Sequence, residues 1–160
     1  ADAEAHLAGE DDEMLRRFDA TERSTLEATR AAIQRWIEAR SAGGPMFAYA
    51  LRSLSGELMG GCELRVLAED RANVSYWVFP AFRGHGYATL ALALLSDAAA
   101  GIAGLRQLEA HIDADNFASH RAAERAGFHR AGTVEDEAWT GATSTRLLYL
   151  RTLGGSAPPA

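Results

Sequence analysis

The stretch that most constrains this 160-residue chain is VSYWVFPAFRGHGYA, residues 74 to 88. Val74 to Phe79 reads as a buried strand that Pro80 ends. A short loop rich in Arg and Gly follows, and a helix opens at about Ala88 and Thr89. A strand that feeds a glycine-bearing loop at a helix N-terminus is a ready site for phosphate. The free N–H groups of the first turn converge there, and the helix dipole favours negative charge. Gly84 and Gly86 carry no Cβ, so a ligand can approach the main chain, and Arg83 offers a charged fork for phosphate oxygens. Neither of the two best-known phosphate loops is present. No Lys-Ser/Thr pair follows the glycines, and no G-x-G-x-x-G occurs here.

The length predicts one domain over residues 1–153, with 154–160 (GGSAPPA) as a frayed tail. A net charge of −6 argues against nucleic acid as a partner, and no basic stripe offsets it. All 16 basic residues are Arg. The single Cys62 excludes an internal disulfide, and no His/Cys cluster has zinc-site spacing, so no metal is expected. No apolar run approaches the roughly 20 residues of a membrane span, and no signal-peptide pattern opens the chain. A soluble, cytoplasmic protein is the expectation.

Residues 2–18 read as a helix broken or bent at Gly9 to Asp12, whose acidic cluster reads as a solvated face. A second helix runs from about Thr21 or Ser24 to Arg40, with Ser24 and Glu27 at capping-box spacing. From Met46 the period becomes extended. Met46 to Leu51, Glu57 to Leu67 and residues 73–79 form an antiparallel meander, with Ala68 to Ala72 as a loop. The Ala/Leu-rich stretch 88–100 reads as a mostly buried helix closed by Gly101. Leu105 to Ile112 alternates as a strand. A helix from Ala118 to Ala126 stops at Gly127, and strands at Phe128 to Glu135 and Thr145 to Thr152 end the chain.

The second informative stretch is DADNFASHRAAERAGF, residues 113–128. Asn116, between a strand end and a helix start, is placed either to cap the helix or to bond a ligand's amide groups. Ser119 either supports that cap or turns its hydroxyl to the same crevice. Two strand–loop–helix units with polar groups at the strand ends point to a ligand crevice at the carboxyl edge of an open sheet.

Together these stretches resemble the GNAT superfamily of acetyl-CoA-dependent N-acetyltransferases, in particular the branch acting on ribosomal-protein N-termini. The family's acyl-CoA signature is met by Arg83, Gly86 and Ala88, and the branch's YWV-P segment by Tyr76, Trp77, Val78 and Pro80. Its downstream N-x-x-S and A-x-x-x-G-F pattern is met by Asn116, Ser119, Ala123, Gly127 and Phe128. The resemblance spans about residues 46–150. A first strand usually precedes the first helix in this family and has no counterpart here.

The resemblance implies an α/β (α+β) fold, with a mixed, mostly antiparallel twisted sheet splayed at the central strand and flanked by helices. It implies acetyl-CoA as cosubstrate, its pantetheine arm against main chain near Trp77, Val78 and Phe79. Its pyrophosphate would rest on the N–H groups of Arg83, Gly84, His85, Gly86, Tyr87, Ala88 and Thr89, with Asn116 and Ser119 nearby. The implied reaction is direct transfer to a primary amine, a protein or peptide N-terminus being one such acceptor, with Ser119 as the thiolate's proton donor. Two carboxylates are candidates for the base. The resemblance suggests Glu137; Glu63 stands beside the central strand, where apolar neighbours raise a carboxylate's pKa. Either is equally readable as a surface or ion-paired group. Cys62 has no His pairing that would make it a nucleophile. The alternatives are an acetyltransferase of small-molecule amines (aminoglycoside, amino acid or polyamine) and an acyl-CoA-binding module without turnover. An exposed edge strand leaves a homodimer open.

Overall fold

The computed structural model describes residues 2–137 and 143–154, with Glu137 described in its backbone alone. Three helices come first: α1 (Asp2–Gly9), α2 (Asp12–Arg17) and α3 (Leu26–Ser41). The break expected at Gly9 to Asp12 is present, and Asp11 caps α2 by accepting the Met14 N–H at 3.0 Å. The cap of α3 lies one residue beyond the expected one. Thr25 accepts the Ala28 N–H at 3.1 Å, whereas Ser24 gives its N–H and hydroxyl to the Glu10 carboxylate at 2.9 and 2.7 Å. A tertiary carboxylate has taken Ser24 out of the competition for the cap.

Six strands follow: β1 (Met46–Arg52), β2 (Leu58–Ala68), β3 (Arg71–Val78), β4 (Gln107–Ile112), β5 (His129–Glu137) and β6 (Thr143–Thr152). The expected loop at Ala68 to Ala72 is instead a tight hairpin, since Ala68 already pairs with Arg71. Ala72 is fully buried, and extending β3 back to Arg71 is what places it in the core. The other two helices are α4 (Tyr87–Ala100) and α5 (Phe117–Arg125). The sheet order is β1-β2-β3-β4-β6-β5, antiparallel throughout except for β3 against β4.

Side-chain alternation sorts the sheet into two faces. Cys62, Leu64, Val74, Leu108 and Ala110 meet α4 and α5 in the main core with Leu92, Leu95, Ala123 and Phe128. Ala91 and Ala99 are fully buried, so α4 lies close on the sheet; Leu90 and Leu94 stay half exposed, so α4 is less enclosed than its sequence suggests. The other face is covered by α1 against β2 and α3 against β1. Among the described residues no helix is long and apolar enough to cross a membrane.

Candidate active site

The site begins where the sheet opens. β3 and β4 pair only from Arg71–Gln107 to Asn73–Glu109, although β3 continues to Val78 and β4 to Ile112. Beyond Asn73 the two parallel strands part, each still held on its far side, β3 by β2 and β4 by β6. The Phe79 N–H bonds to the Met59 carbonyl at 2.8 Å, so alternation turns the main-chain groups of Tyr76 and Val78 toward the gap. Of the three residues expected along a pantetheine arm, Val78 therefore has its peptide groups on the gap side. Trp77 faces β2 with its own, and the Phe79 N–H does likewise, while the Phe79 carbonyl accepts the Phe82 N–H at 2.9 Å.

At the gap's mouth a one-turn 3-10 helix, Pro80–Phe82, leads into the glycine loop, and α4 opens at Tyr87, one residue before its expected start. Gly84 (φ 80°) and Gly86 (φ 83°, the N-cap) adopt left-handed backbone, and a Cβ at either would meet nothing within 4 Å. The first helical bond is Leu90 N–H to the Gly86 carbonyl at 3.1 Å. The N–H groups of Gly86, Tyr87, Ala88 and Thr89 thus precede the helical ladder and crown an open cradle. His85 sits 3.3 Å from the Phe82 carbonyl through Nδ1 and braces the loop. The Arg83 fork holds Asp11 instead of standing open: Nη1 and Nη2 lie 2.7 and 2.8 Å from its two oxygens, and Nε donates to the Val78 carbonyl at 2.9 Å. These bonds hold the Asp11 carboxyl below its usual range.

On the far side of the gap, Asn116 caps α5 by accepting the Ser119 N–H at 3.2 Å, so the capping role is the one the structure shows. Tyr76 reaches across from β3, its hydroxyl 3.4 Å from the Ser119 carbonyl, which brings the first turn of α5 to the gap. Burial pushes the Tyr76 phenol up to about 12.

The face under α1 and α3 carries two further features. On the β1–β2–β3 side, Trp36 stacks on Trp77 with ring centroids 5.9 Å apart, and His6 meets both edge-on. They wall a cavity of about 250 Å³. On the β4–β6–β5 side His111 lies between two carboxylates, Nε2 3.0 Å from Glu109 and Nδ1 3.3 Å from Asp136. Arg146 ties Asp136 to Asp113 and Asp19 through contacts of 2.9, 2.9 and 2.5 Å.

A family model for the acetyltransferase (GNAT) domain matches residues 1–129. The chain belongs to the GNAT acetyltransferase family. Solved structures agree in fold. A GNAT acetyltransferase from Bacillus anthracis superposes with a TM-score of 0.76 at 19% identity, covering 94% of this chain and 89% of its own. A spermidine N-acetyltransferase from Vibrio cholerae in complex with CoA and spermine gives 0.73 at 14%, covering 91% and 85%. A ribosomal L7/L12 alpha-N-protein acetyltransferase in complex with coenzyme A gives 0.70 at 22%, covering 82% and 75%. No curated protein sequence matches the chain.

GNAT enzymes use acetyl-CoA as cosubstrate. The glycine cradle and the gap-side peptide groups of Tyr76 and Val78 suit its two halves, one anionic and one amide-bearing. The base candidates are less well matched. Glu63 lies on the face under α1 and α3, in register with Ser75, but its carboxylate is paired with Arg65 at 3.2 Å. The Glu137 side chain lies outside the described residues. His111 escaped the sequence reading. Alternation in QLEAHID, which puts Glu109, His111 and Asp113 on one face of an internal strand, is the signal that would have found it.

Proposed function

We propose that this GNAT enzyme transfers the acetyl group of acetyl-CoA directly to a primary amine at a peptide N-terminus. The observation that carries the reading is the parting of β3 from β4 after Asn73–Glu109, directly before a glycine cradle at the head of α4. The peptide groups of Tyr76 and the Val78 N–H hold the pantetheine arm as a neighbouring strand would. The N–H groups of Gly86, Tyr87, Ala88 and Thr89, with those of Gly84 and His85, receive the pyrophosphate.

The reaction forms one C–N bond and breaks the C–S bond of the thioester. The amine's proton passes to the cluster of His111, Glu109 and Asp136, in which His111 Nε2 lies 3.0 Å from Glu109 and Nδ1 lies 3.3 Å from Asp136. The departing sulfur takes a proton from the Ser119 hydroxyl, which regains one from solvent as the cluster releases the amine's proton there. This cluster is better placed than Glu63 because His111 and Glu109 stand on β4, the strand that borders the gap, whereas the Glu63 carboxylate is paired with Arg65.

The test combines calorimetric titration with acetyl-CoA and thiol release in the presence of amine-bearing peptides. Wild-type binding lost in Gly86→Glu, with turnover reduced roughly 10²–10⁴-fold in His111→Asn at unchanged acetyl-CoA affinity, is the expected pattern. Absence of wild-type binding would sink the reading. Full turnover in His111→Asn would sink the base assignment alone.

A further inference from the structure

We infer that the acceptor is an amine whose adjoining substituent is bulky and apolar, an N-terminal residue of the Phe or Leu type, seated in the cavity beside Trp36 and Trp77. This deepens the transferase reading above and rests on it. The cavity shares its Trp77 wall with the strand that borders the gap. Register puts Trp77 and Gly61 on the same sheet face as Glu109 and His111, across the opening from them. A substituent held against the two indoles leaves its amine over the gap with His111 on the opposite flank.

The lining selects the substituent. The wall is completed by the apolar side chains of Ile33 and Ile37 from α3, with Arg40 also in the lining. Asp2 is the carboxylate in the lining, and it is engaged with Arg52 at 2.5 Å. A polyamine or aminoglycoside presents several ammonium groups and needs several carboxylates; here it would meet two stacked indoles and an arginine. Size points the same way. About 250 Å³ is below the roughly 300–1,000 Å³ of pockets that enclose drug-sized ligands, and suits one side chain.

The experiment offers the full chain with acetyl-CoA the amidated tripeptides Phe-Ala-Ala, Leu-Ala-Ala and Ser-Ala-Ala, phenylalaninamide, spermidine and kanamycin. Thiol release is followed, together with acceptor binding by tryptophan fluorescence. The expected result is a kcat/KM for the Phe- and Leu-headed peptides at least tenfold above the others, and phenylalaninamide above spermidine. Trp36→Ala should raise KM for the bulky acceptors tenfold or more and leave KM for acetyl-CoA within twofold. Because Trp36→Ala can disturb folding, Ile37→Glu at the exposed rim is the second variant, with the same acceptors weakened. Equal or better use of spermidine, kanamycin or the Ser-headed peptide overturns the inference while leaving the transferase reading intact. So does failure of the Phe-headed peptide to bind. Binding of that peptide without thiol release overturns the transferase reading and keeps the pocket.

Discussion

Arg83 of the glycine loop and Asp11 at the head of α2 share a two-point ion pair, Nη1 to Oδ2 at 2.7 Å and Nη2 to Oδ1 at 2.8 Å. The other end of α2 is tied to the opposite flank of the gap, Arg17 to Asp113 at 2.9 Å and Arg16 to Asp115 at 2.7 Å. A helix of six residues thereby links the β3 side of the gap to the β4 side. The acidic cluster that reads in sequence as a solvated face is engaged in tertiary bonds: Asp11 to Arg83, Asp12 to Arg23, and Glu10 to Ser24.

Asp11→Ser separates the two duties of this residue. Serine caps a helix about as well as aspartate, so α2 should persist. The guanidinium then becomes available to phosphate, and a negative charge leaves the loop's surroundings. Acetyl-CoA should bind several-fold tighter, with a steeper loss of affinity as salt is added. The stability cost should be small, about 0–1 kcal/mol, because the pair is about a third exposed. Calorimetry at two salt concentrations checks this. Weaker binding would mean that Asp11 holds Arg83 in its binding position.

Features set by local backbone chemistry were legible in the sequence. Pro80 ends the strand, Gly86 starts α4 in left-handed backbone, and Gly127 follows α5 with φ 82°; each is a demand that neighbouring residues make visible. Features that need distant partners were not. His111 matters through Asp136, which reaches it only because β5 and β6 fold back beside β4. Trp36 and Trp77 stack because α3 lies across β1. The choice between Ser24 and Thr25 as cap was made by Glu10 from another part of the chain, which no local spacing records.

His6 should make stability pH-dependent. Burial against Trp36, Trp77 and Phe79 lowers its pKa from 6.5, with the Glu10 charge opposing. The folded state thus binds the proton less readily than the unfolded chain. This contribution to stability is present above about pH 6.5 and is lost as pH falls toward the depressed folded value. The Tm should drop between pH 7 and pH 5, and His6→Phe, which keeps the aromatic packing without the titration, should drop less. Identical slopes in the two proteins would contradict this.

Cys62 should be chemically silent. It is 3% exposed, and burial pushes its thiol up to about 11. At pH 8 about one molecule in a thousand carries the reactive thiolate. Native protein should resist iodoacetamide, the denatured chain should be labelled, and Cys62→Ala should keep kcat within about twofold. A dead Cys62→Ala variant that still folds would argue for a covalent acyl intermediate.

Gly61 is where the backbone itself shapes the cavity beside Trp36 and Trp77. A Cβ placed there would overlap Cζ2 of the Trp77 indole and lie 2.8 Å from its Cε2, so the ring must move. The conflict is steric alone, because Gly61 is not among the glycines with positive φ. Gly61→Ala should therefore cost about 1–3 kcal/mol, as overpacked cores do. A displaced indole changes the wall shared with Trp36, so KM for the acceptor should rise more than KM for acetyl-CoA. Trp77→Leu removes the ring that the added methyl group would strike. In a double-mutant cycle read by thermal unfolding, the paired substitutions should be less harmful than the sum of the singles, with a coupling of about 1 kcal/mol or more. Additive losses would mean that alanine is accommodated by a shift of the strand, and the indole would then not be what forbids a side chain at Gly61.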